Sequence, residues 1–334
     1  MVTSDPAIGI IGAGAWGTAL AILANRAGAR VTLHVRNDLV FQSIHEQRIN
    51  AAYLPEYFID PAISITQNIA DLQRAEMILL AVPAQSLRTA AIALSDLVSS
   101  TTPLIIASKG IERGSLMLMS EVIQSIMPHN PIAILTGPNF AAEAAAGLPT
   151  ASVLASYHAK LNERIVYALS ATHYRLYLSD DPIGAQIGGA AKNVIAIASG
   201  IAMGRGLGEN ARAALLTRGI AEMARLVKAK GGREETVSGL SGLGDLLLTA
   251  SSATSRNCSF GMKLARGANA RELLGVSGLV EGALSADSIY QLARKHGVRM
   301  PICEAVRECV SGSISVDSAI ESLLSRQAGQ ENSF

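Results

Sequence analysis

"AIGIIGAGAWG", residues 7–17, sets Gly12, Gly14 and Gly17 directly behind a short aliphatic run. Ile8–Ile11 reads as a strand covered on both faces, because buried parallel strands are continuously apolar rather than alternating. The stretch 17–27 reads as the helix that follows. A glycine triplet of this spacing arises by chance in many turns. Between a strand and a helix it has the context of a dinucleotide-binding turn. There Gly12 permits the tight turn, Gly14 lets backbone N–H groups approach a pyrophosphate, and Gly17 lets helix and strand pack closely. The start of the helix adds partial positive charge for an anion.

Working outward, the same strand signature recurs at Val31–Val35, Met77–Val82, Leu104–Ala107 and Ile132–Leu135, with helical-length segments between. Repeated βαβ units predict a mainly parallel sheet, and "YRLYLS" at 174–179 alternates as a last strand would. After Asp181-Pro182 the character changes to long helical patterns without convincing strands. In 211–230, Leu215, Leu216, Gly219, Ile220, Met223, Leu226 and Val227 form one apolar helix face, while Arg218, Glu222 and Arg225 line another and Gly231-Gly232 ends the helix. The expected architecture is an α/β Rossmann-type domain over 1–182, with a mainly parallel sheet, followed by an all-α domain over 183–334.

A chain of 334 residues is long enough for two cores. Its 49 % hydrophobic and 16 % charged residues are those of a globular protein, and a net charge of +1 offers no attraction to nucleic acid or to an anionic bilayer. Aromatics at 4 % also argue against stacking platforms for single strands. Cys258, Cys303 and Cys309 form no CxxC pair, which suits a reducing compartment. The start "MVTSDPAIGI" lacks the pattern of a signal peptide. Segment 183–203 is apolar, yet Gln186, Lys192, Asn193 and its glycines suit a helix buried in protein rather than lipid. The expectation is a soluble, cytoplasmic protein. The six histidines show no metal-ligand spacing, so no metal site is expected.

Candidate ligand contacts follow from position. After the second strand, where an NAD-selective site places an acid, stands Arg36, followed by Asn37 and Asp38. A guanidinium suits a 2′-phosphate, so NADP is favoured and NAD remains open. Loops leaving strand ends carry Lys109 in "ASKGIE" (107–112) and Gly137, Asn139 and Ala141 in "LTGPNFAAE" (135–143). In the helical half, "GLSGLGDLLLTASSATSRN" (239–257) brings together Asp245, Thr249, Ser255, Arg256 and Asn257. If "SRN" starts a helix, its N–H groups and Arg256 make a second anion site, which suggests a phosphorylated substrate; simple capping by Ser255 and Asn257 is the alternative. Lys192, within "GGAAKNVIAIASG" (188–200), sits in a run built for burial and is therefore paired, snorkelling or kept for chemistry.

These motifs resemble the bacterial NAD(P)-dependent glycerol-3-phosphate dehydrogenases nearly end to end. The likeness rests on "GAGAWGTALA" (12–21), "YLPE" (53–56), "AVPAQSLR" (81–88), "ASKGIE" (107–112) and "LTGPNFAAEAAAGLPT" (135–150). It continues through "GGAAKNVIAIASGI" (188–201), "GLGENARAALLTRGIAEM" (206–223), "GLSGLGDLLLT" (239–249), "SRN" (255–257) and "VEG" (280–282). The resemblance implies reversible hydride transfer between NAD(P)H and dihydroxyacetone phosphate, giving sn-glycerol 3-phosphate for phospholipid synthesis. It implies Lys192 as general acid/base. Lys109, Asp245, Arg256 and Asn257 would hold substrate, with Gly137, Asn139 and Ser255 nearby. Gly12, Gly14, Ala15, Trp16, Gly17, Arg36, Lys109, Ala141, Arg256, Leu279 and Glu281 would meet the cofactor. The family often has Ser at Asn139, Cys at Ala250 and Gly at Glu56. A homodimer is left open.

For a lysine to pass a proton near neutrality, its pKa must fall from ~10.4, by burial or by a neighbouring cation. Gly188 and Gly189, at i−4 and i−3 of Lys192, are expected to clear room for substrate. Asp245 either binds substrate hydroxyls or pairs with Lys192, which would oppose the fall. Two rival readings predict different behaviour: a related hydroxyacid dehydrogenase would act on a carboxylate, and a non-catalytic NADP-binding regulator would turn over no ketone.

Overall fold

The computed structural model describes residues 5–276 and 278–326. The first four residues, part of the segment read as lacking a signal peptide, lie outside the described residues. The chain forms two compact units, Met1–Ser108 with Met119–Pro182, and Lys109–Leu118 with Ile183–Phe334. The short excursion Lys109–Leu118 therefore departs from a simple division at 182. Its reason is packing: Ile111 and Leu118 bridge each other and are buried in the apolar core of the helical unit.

Among the described residues, ten strands build the first unit: β1 Ala7–Ile11, β2 Arg30–His34, β3 Ile49–Asn50, β4 Leu54–Phe58, β5 Ser64–Thr66, β6 Met77–Leu80, β7 Leu104–Ile106, β8 Ile132–Thr136, β9 Thr150–Ala155 and β10 Tyr174–Ser179. Its helices are α1 Ala15–Arg26, α2 Asp38–Gln47, α3 Leu87–Ser95, α4 Met119–Ile126, α5 Ala141–Ala146 and α6 Ala159–Leu169. Eight strands form one sheet in the order β10-β9-β8-β7-β6-β1-β2-β5, and β3 with β4 makes a separate antiparallel ladder. Every neighbour in the large sheet is parallel except β8 with β9. That reversal follows from the connection: residues 137–149 hold only the short α5, so the chain turns back along β8 instead of crossing over. The mainly parallel Rossmann sheet matches expectation; β9 and the antiparallel step were not foreseen.

Parallel pairing sends the carboxyl ends of β1, β2, β6, β7 and β8 to one edge of the sheet. The order reverses between β1 and β6, which is where open α/β sheets bind ligands. The Ile, Val and Leu residues of β1, β2, β6 and β7 are almost wholly buried, as sheets covered on both faces require.

Among the described residues, eight α-helices form the second unit: α7 Pro182–Gly204, α8 Gly208–Ala229, α9 Asp245–Ser251, α10 Arg256–Ala265, α11 Ala270–Val276, α12 Glu281–Lys295, α13 Pro301–Ser311 and α14 Val316–Leu324. α7 is long and apolar enough to cross a bilayer, yet 89 % of its most apolar stretch is buried inside the protein. It is the core helix, with Ala191, Val194, Ile195 and Ile197 enclosed by residues of the surrounding helices.

One polar residue of α8 behaves differently from its sequence pattern. Glu222, expected on a polar face with Arg218 and Arg225, is buried and accepts the Ile302 and Cys303 main-chain N–H groups at 2.7 and 3.2 Å. It caps α13 from a neighbouring helix, where unpaired N–H groups favour a carboxylate. Burial pushes its carboxyl from the ordinary 4.5 up to about 7, against the two helix N–H groups and Arg225, which act to lower it. The folded state thus holds a proton that the unfolded chain releases between pH 4.5 and about 7. This group's contribution to stability therefore falls as pH rises through that window and is level above it. In Glu222→Gln, which stays neutral, about 3 kcal/mol of that loss should vanish. Urea unfolding at pH 5 and pH 8 checks this: equal pH dependence in both proteins would mean that the carboxyl does not titrate there.

Candidate active site

In the first unit, the three glycines of 12–17 answer to three separate demands. Gly12 has φ +108, and a Cβ on it would press on the Ala81 carbonyl oxygen at 2.6 Å, beyond the end of β6. Gly17 lies so close to the Gly12 carbonyl that no side chain fits. At Gly14, by contrast, a Cβ would meet no protein atom within 4 Å. Packing within the unit does not require glycine there, whereas a pyrophosphate approaching the backbone would. Gly14 is also the N-cap of α1, with no side-chain cap and no acid in the first turn. The residues present fit a dinucleotide phosphate. Ala15 and Trp16 open the same helix, half-buried.

A residue that sequence reasoning missed secures this turn. Asn50, fully buried on β3, donates from its amide nitrogen to the Ala13 carbonyl (2.9 Å) and to Thr18 Oγ1 (2.8 Å). The β3–β4 ladder is only two residues wide on one side, too short for periodicity to reveal. Arg36 is exposed just past β2. Beside it, Asn37 caps α2 by accepting from Val40 N at 3.0 Å, and Asp38 accepts from Gln67 Nε2 at 2.7 Å. At the end of β8, Gly137 adopts φ +137 and packs against β9, with a notional Cβ 3.1 Å from Ser152 Cα. Asn139 and Ala141 follow, both half-buried.

In the second unit, Lys192 lies midway along α7 and is 6 % exposed. Its Nζ donates to Asp245 Oδ1 (2.8 Å) and to Thr249 Oγ1 (2.6 Å). The other carboxylate oxygen of Asp245 pairs with Lys109 Nζ at 2.6 Å. Of the three options for Lys192, pairing is therefore realised and snorkelling is not. Thr249 follows Asp245 by one turn of α9, and its hydroxyl donates to the Asp245 main-chain carbonyl at 2.7 Å. With its one hydrogen committed there, Thr249 can only accept from Lys192. Among the described residues, the ammonium thus uses two of its three hydrogens.

Burial pushes the Lys192 amine below its ordinary pKa, the Asp245 carboxylate pulls it back up, and the Lys109 ammonium lowers it again. The direction that results is down. Glu281, half-buried at the start of α12, is raised by burial against the pull of Lys109, Lys192 and Arg256. Its Oε2 stands 3.5 Å from Asn193 Nδ2.

Gly188, the first of the two glycines before Lys192, has another use than the expected one. A Cβ on Gly188 would meet the Ser241 carbonyl oxygen at 2.8 Å and Gly242 Cα at 3.3 Å. Gly188 therefore admits the backbone of the π-helical turn Leu240–Gly244, which leads straight into Asp245. The clearance serves protein packing that delivers the carboxylate, not substrate.

"SRN" does start a helix. Ser255 is the N-cap of α10 and accepts from Cys258 N at 3.4 Å, Arg256 is the exposed first residue, and Asn257 is buried. Asn257 donates to Asn193 Oδ1 (2.9 Å) and accepts from Gly282 N (2.9 Å), tying α10 to α7 and α12. Its carbonyl and one amide hydrogen are thus internal, which leaves Arg256 as the residue of the triplet best placed for an anion. Leu279 is half-buried just before α12.

Residues 7–162 match the family profile described as NAD-dependent glycerol-3-phosphate dehydrogenase N-terminus, and 181–321 match its C-terminus. The chain belongs to the NAD-dependent glycerol-3-phosphate dehydrogenase family. A glycerol-3-phosphate dehydrogenase (NAD(P)+) of Caulobacter vibrioides is 47 % identical over 320 residues, covering 96 % of this chain and 97 % of the relative. One of Rhodospirillum rubrum is 48 % identical over 321 residues, covering 96 % and 92 %. The crystal structure of the glycerol-3-phosphate dehydrogenase of Coxiella burnetii superposes with TM-score 0.93 at 36 % identity, over 96 % of this chain and 99 % of that one. As a member of this dehydrogenase family, the protein is an NAD(P)-dependent oxidoreductase.

Proposed function

We propose that Lys192 passes the proton in the reversible reduction of dihydroxyacetone phosphate to sn-glycerol 3-phosphate. The observation that carries this is the ammonium itself: buried, lowered in pKa, and held by two fixed acceptors so that its third hydrogen is directed. NAD(P)H, when bound, supplies the hydride to the ketone carbon. Lys192 gives its third hydrogen to the ketone oxygen as that oxygen gains charge, and the neutral amine left behind is stabilised by the same burial. In the reverse direction the amine takes the hydroxyl proton. Asp245 and Thr249 orient Nζ, and Lys109 adds positive charge. Arg256 at the start of α10 binds the phosphate, with Ser255 and Asn257 shaping that helix start and the Gly137–Asn139 loop meeting the substrate. Gly12, Gly14, Ala15, Trp16, Gly17 and Ala141 serve the cofactor, and Leu279 and Glu281 contact it as well. The product feeds phospholipid synthesis in the cytoplasm.

Arg36 supports NADP over NAD. It stands where a diol-binding acid would stand, Asn37 is committed to a cap, and the Asp38 carboxylate already accepts from Gln67. Oxidation of NADPH and of NADH, each followed with dihydroxyacetone phosphate, tests the whole reading. NADPH should show the lower KM. Arg36→Ala should raise the KM for NADPH alone, by about ten- to a hundredfold, the loss of charge-assisted phosphate bonds. Equal KM values would refute the preference, and folded protein inert with both cofactors would refute the reaction.

A further inference from the structure

Behind the loop that joins β8 to α5 runs a row of buried polar side chains that the proton transfer does not use. Tyr174 on β10 is 1 % exposed, and Ser152 on β9 is fully buried. Their hydroxyl oxygens are 2.8 Å apart. Ser152 Oγ donates onward to the amide oxygen of Asn139 at 2.9 Å, and the Asn139 nitrogen donates to the carbonyls of Pro138 (3.0 Å) and Ala151 (3.2 Å). Because the single hydroxyl hydrogen of Ser152 is used toward Asn139, Tyr174 must be the donor to Ser152. Burial pushes the Tyr174 phenol well above its ordinary range, so it keeps that proton at any working pH. The result is a directed chain, Tyr174 to Ser152 to Asn139 to the loop's own main chain.

The consequence concerns Asn139. Its amide nitrogen faces three acceptors of the first unit, the carbonyls of Pro138 and Ala151 and Ser152 Oγ, and its oxygen already accepts from Ser152. A ligand hydroxyl could gain an amide hydrogen only by displacing one of these bonds. Gly137, pressed against Ser152 Cα, holds the other end of the loop to the same strand.

We propose that Ser152 and Tyr174 are positioning residues that hold Asn139 as a clamp on this loop, so that the substrate is met there by main chain rather than by the Asn139 amide. The inference rests on the reading that the loop meets substrate. The clamp sets the loop's shape, so loosening it disturbs ground-state binding and leaves the proton and hydride steps in place.

Steady-state kinetics of the full-length enzyme test this with Asn139→Ala, Tyr174→Phe and the double variant, each checked for an unchanged thermal midpoint. Tyr174→Phe removes one buried oxygen and leaves Ser152 its Asn139 partner, so it should fold. Each single variant should raise the KM for dihydroxyacetone phosphate by about three- to tenfold, with kcat within about twofold. The double variant should be no worse than the more severe single one, as expected for one coupled unit. Ser152→Ala, which breaks the chain in its middle, should give the same split. A raised KM in Asn139→Ala beside a normal KM in Tyr174→Phe would overturn the clamp and make Asn139 a direct ligand. Additive effects would overturn it too. A normal KM in Asn139→Ala would instead remove the loop from the substrate site and with it that part of the proposed function.

Discussion

Lys192→Met should lose turnover by ~10²–10⁴-fold in both directions while the cofactor still binds. The expectation rests on what the substitution leaves behind. Removing one partner of a buried ion pair normally strands a charge, at a cost of several kcal/mol. Here Asp245 keeps Lys109 at 2.6 Å, so the carboxylate remains paired. Thr249 keeps its bond to the Asp245 main chain, and Met fills nearly the same volume within an apolar helix face. The fold should therefore survive, and the glycine turn at 12–17 is built from other residues altogether. The measurement is turnover with dihydroxyacetone phosphate alongside a fluorescence titration with NADPH. Turnover near that of the native enzyme would end the assignment of Lys192 as the proton donor.

How far the sequence foretold this site differs from element to element. The core strands were visible because a sheet covered on both faces must be continuously apolar, and Ile8–Ile11 or Met77–Val82 can hardly be read otherwise. β9, "TASVLA", begins with Thr, Ala and Ser, so half of it carries no apolar signal. Its antiparallel direction is a property of pairing, which periodicity does not encode. Lys109–Leu118 joins the helical unit through the burial of Ile111 and Leu118, two residues too few to mark a boundary in composition.

Within the site, Lys192 stood out as a charged residue inside an apolar run and Asp245 as part of the glycine-rich stretch 239–257, and the structure brings them to 2.8 Å. Thr249 was noticed in its motif but given no role, although its spacing of four from Asp245 already puts both on one helix face. Gly188 misled for a physical reason. A glycine beside a functional lysine signals close approach, but the pattern does not say of what, and here the neighbour is the Ser241 main chain. Asn257 is similar: its side chain was read toward ligand, while the nearest partners proved to be Asn193 and Gly282. What sequence conveys well is which positions must be small, charged or apolar; which partner satisfies each one is settled only by packing.

Asp245→Asn should lower kcat/KM for ketone reduction at neutral pH by about ten- to a hundredfold and move the high-pH limb of the reduction profile to lower pH. The carboxylate is the strongest influence holding the Lys192 proton on, against burial and against Lys109. The amide is the same size and still offers Lys192 an oxygen, but it removes the negative charge from between two ammonium groups. Burial and Lys109 then act with less opposition, so the Lys192 pKa falls further and less of the enzyme carries the proton that reduction requires. The sign is fixed: reduction needs the ammonium, so its rate drops as pH rises through this pKa, and a lower pKa brings the drop earlier. The shift separates the two roles left open for Asp245. If its task were only to bind substrate hydroxyls, the variant would raise KM and leave the limb in place. A displaced limb with a modest change in KM instead identifies the carboxylate as the group that keeps a buried lysine charged until the ketone takes its proton.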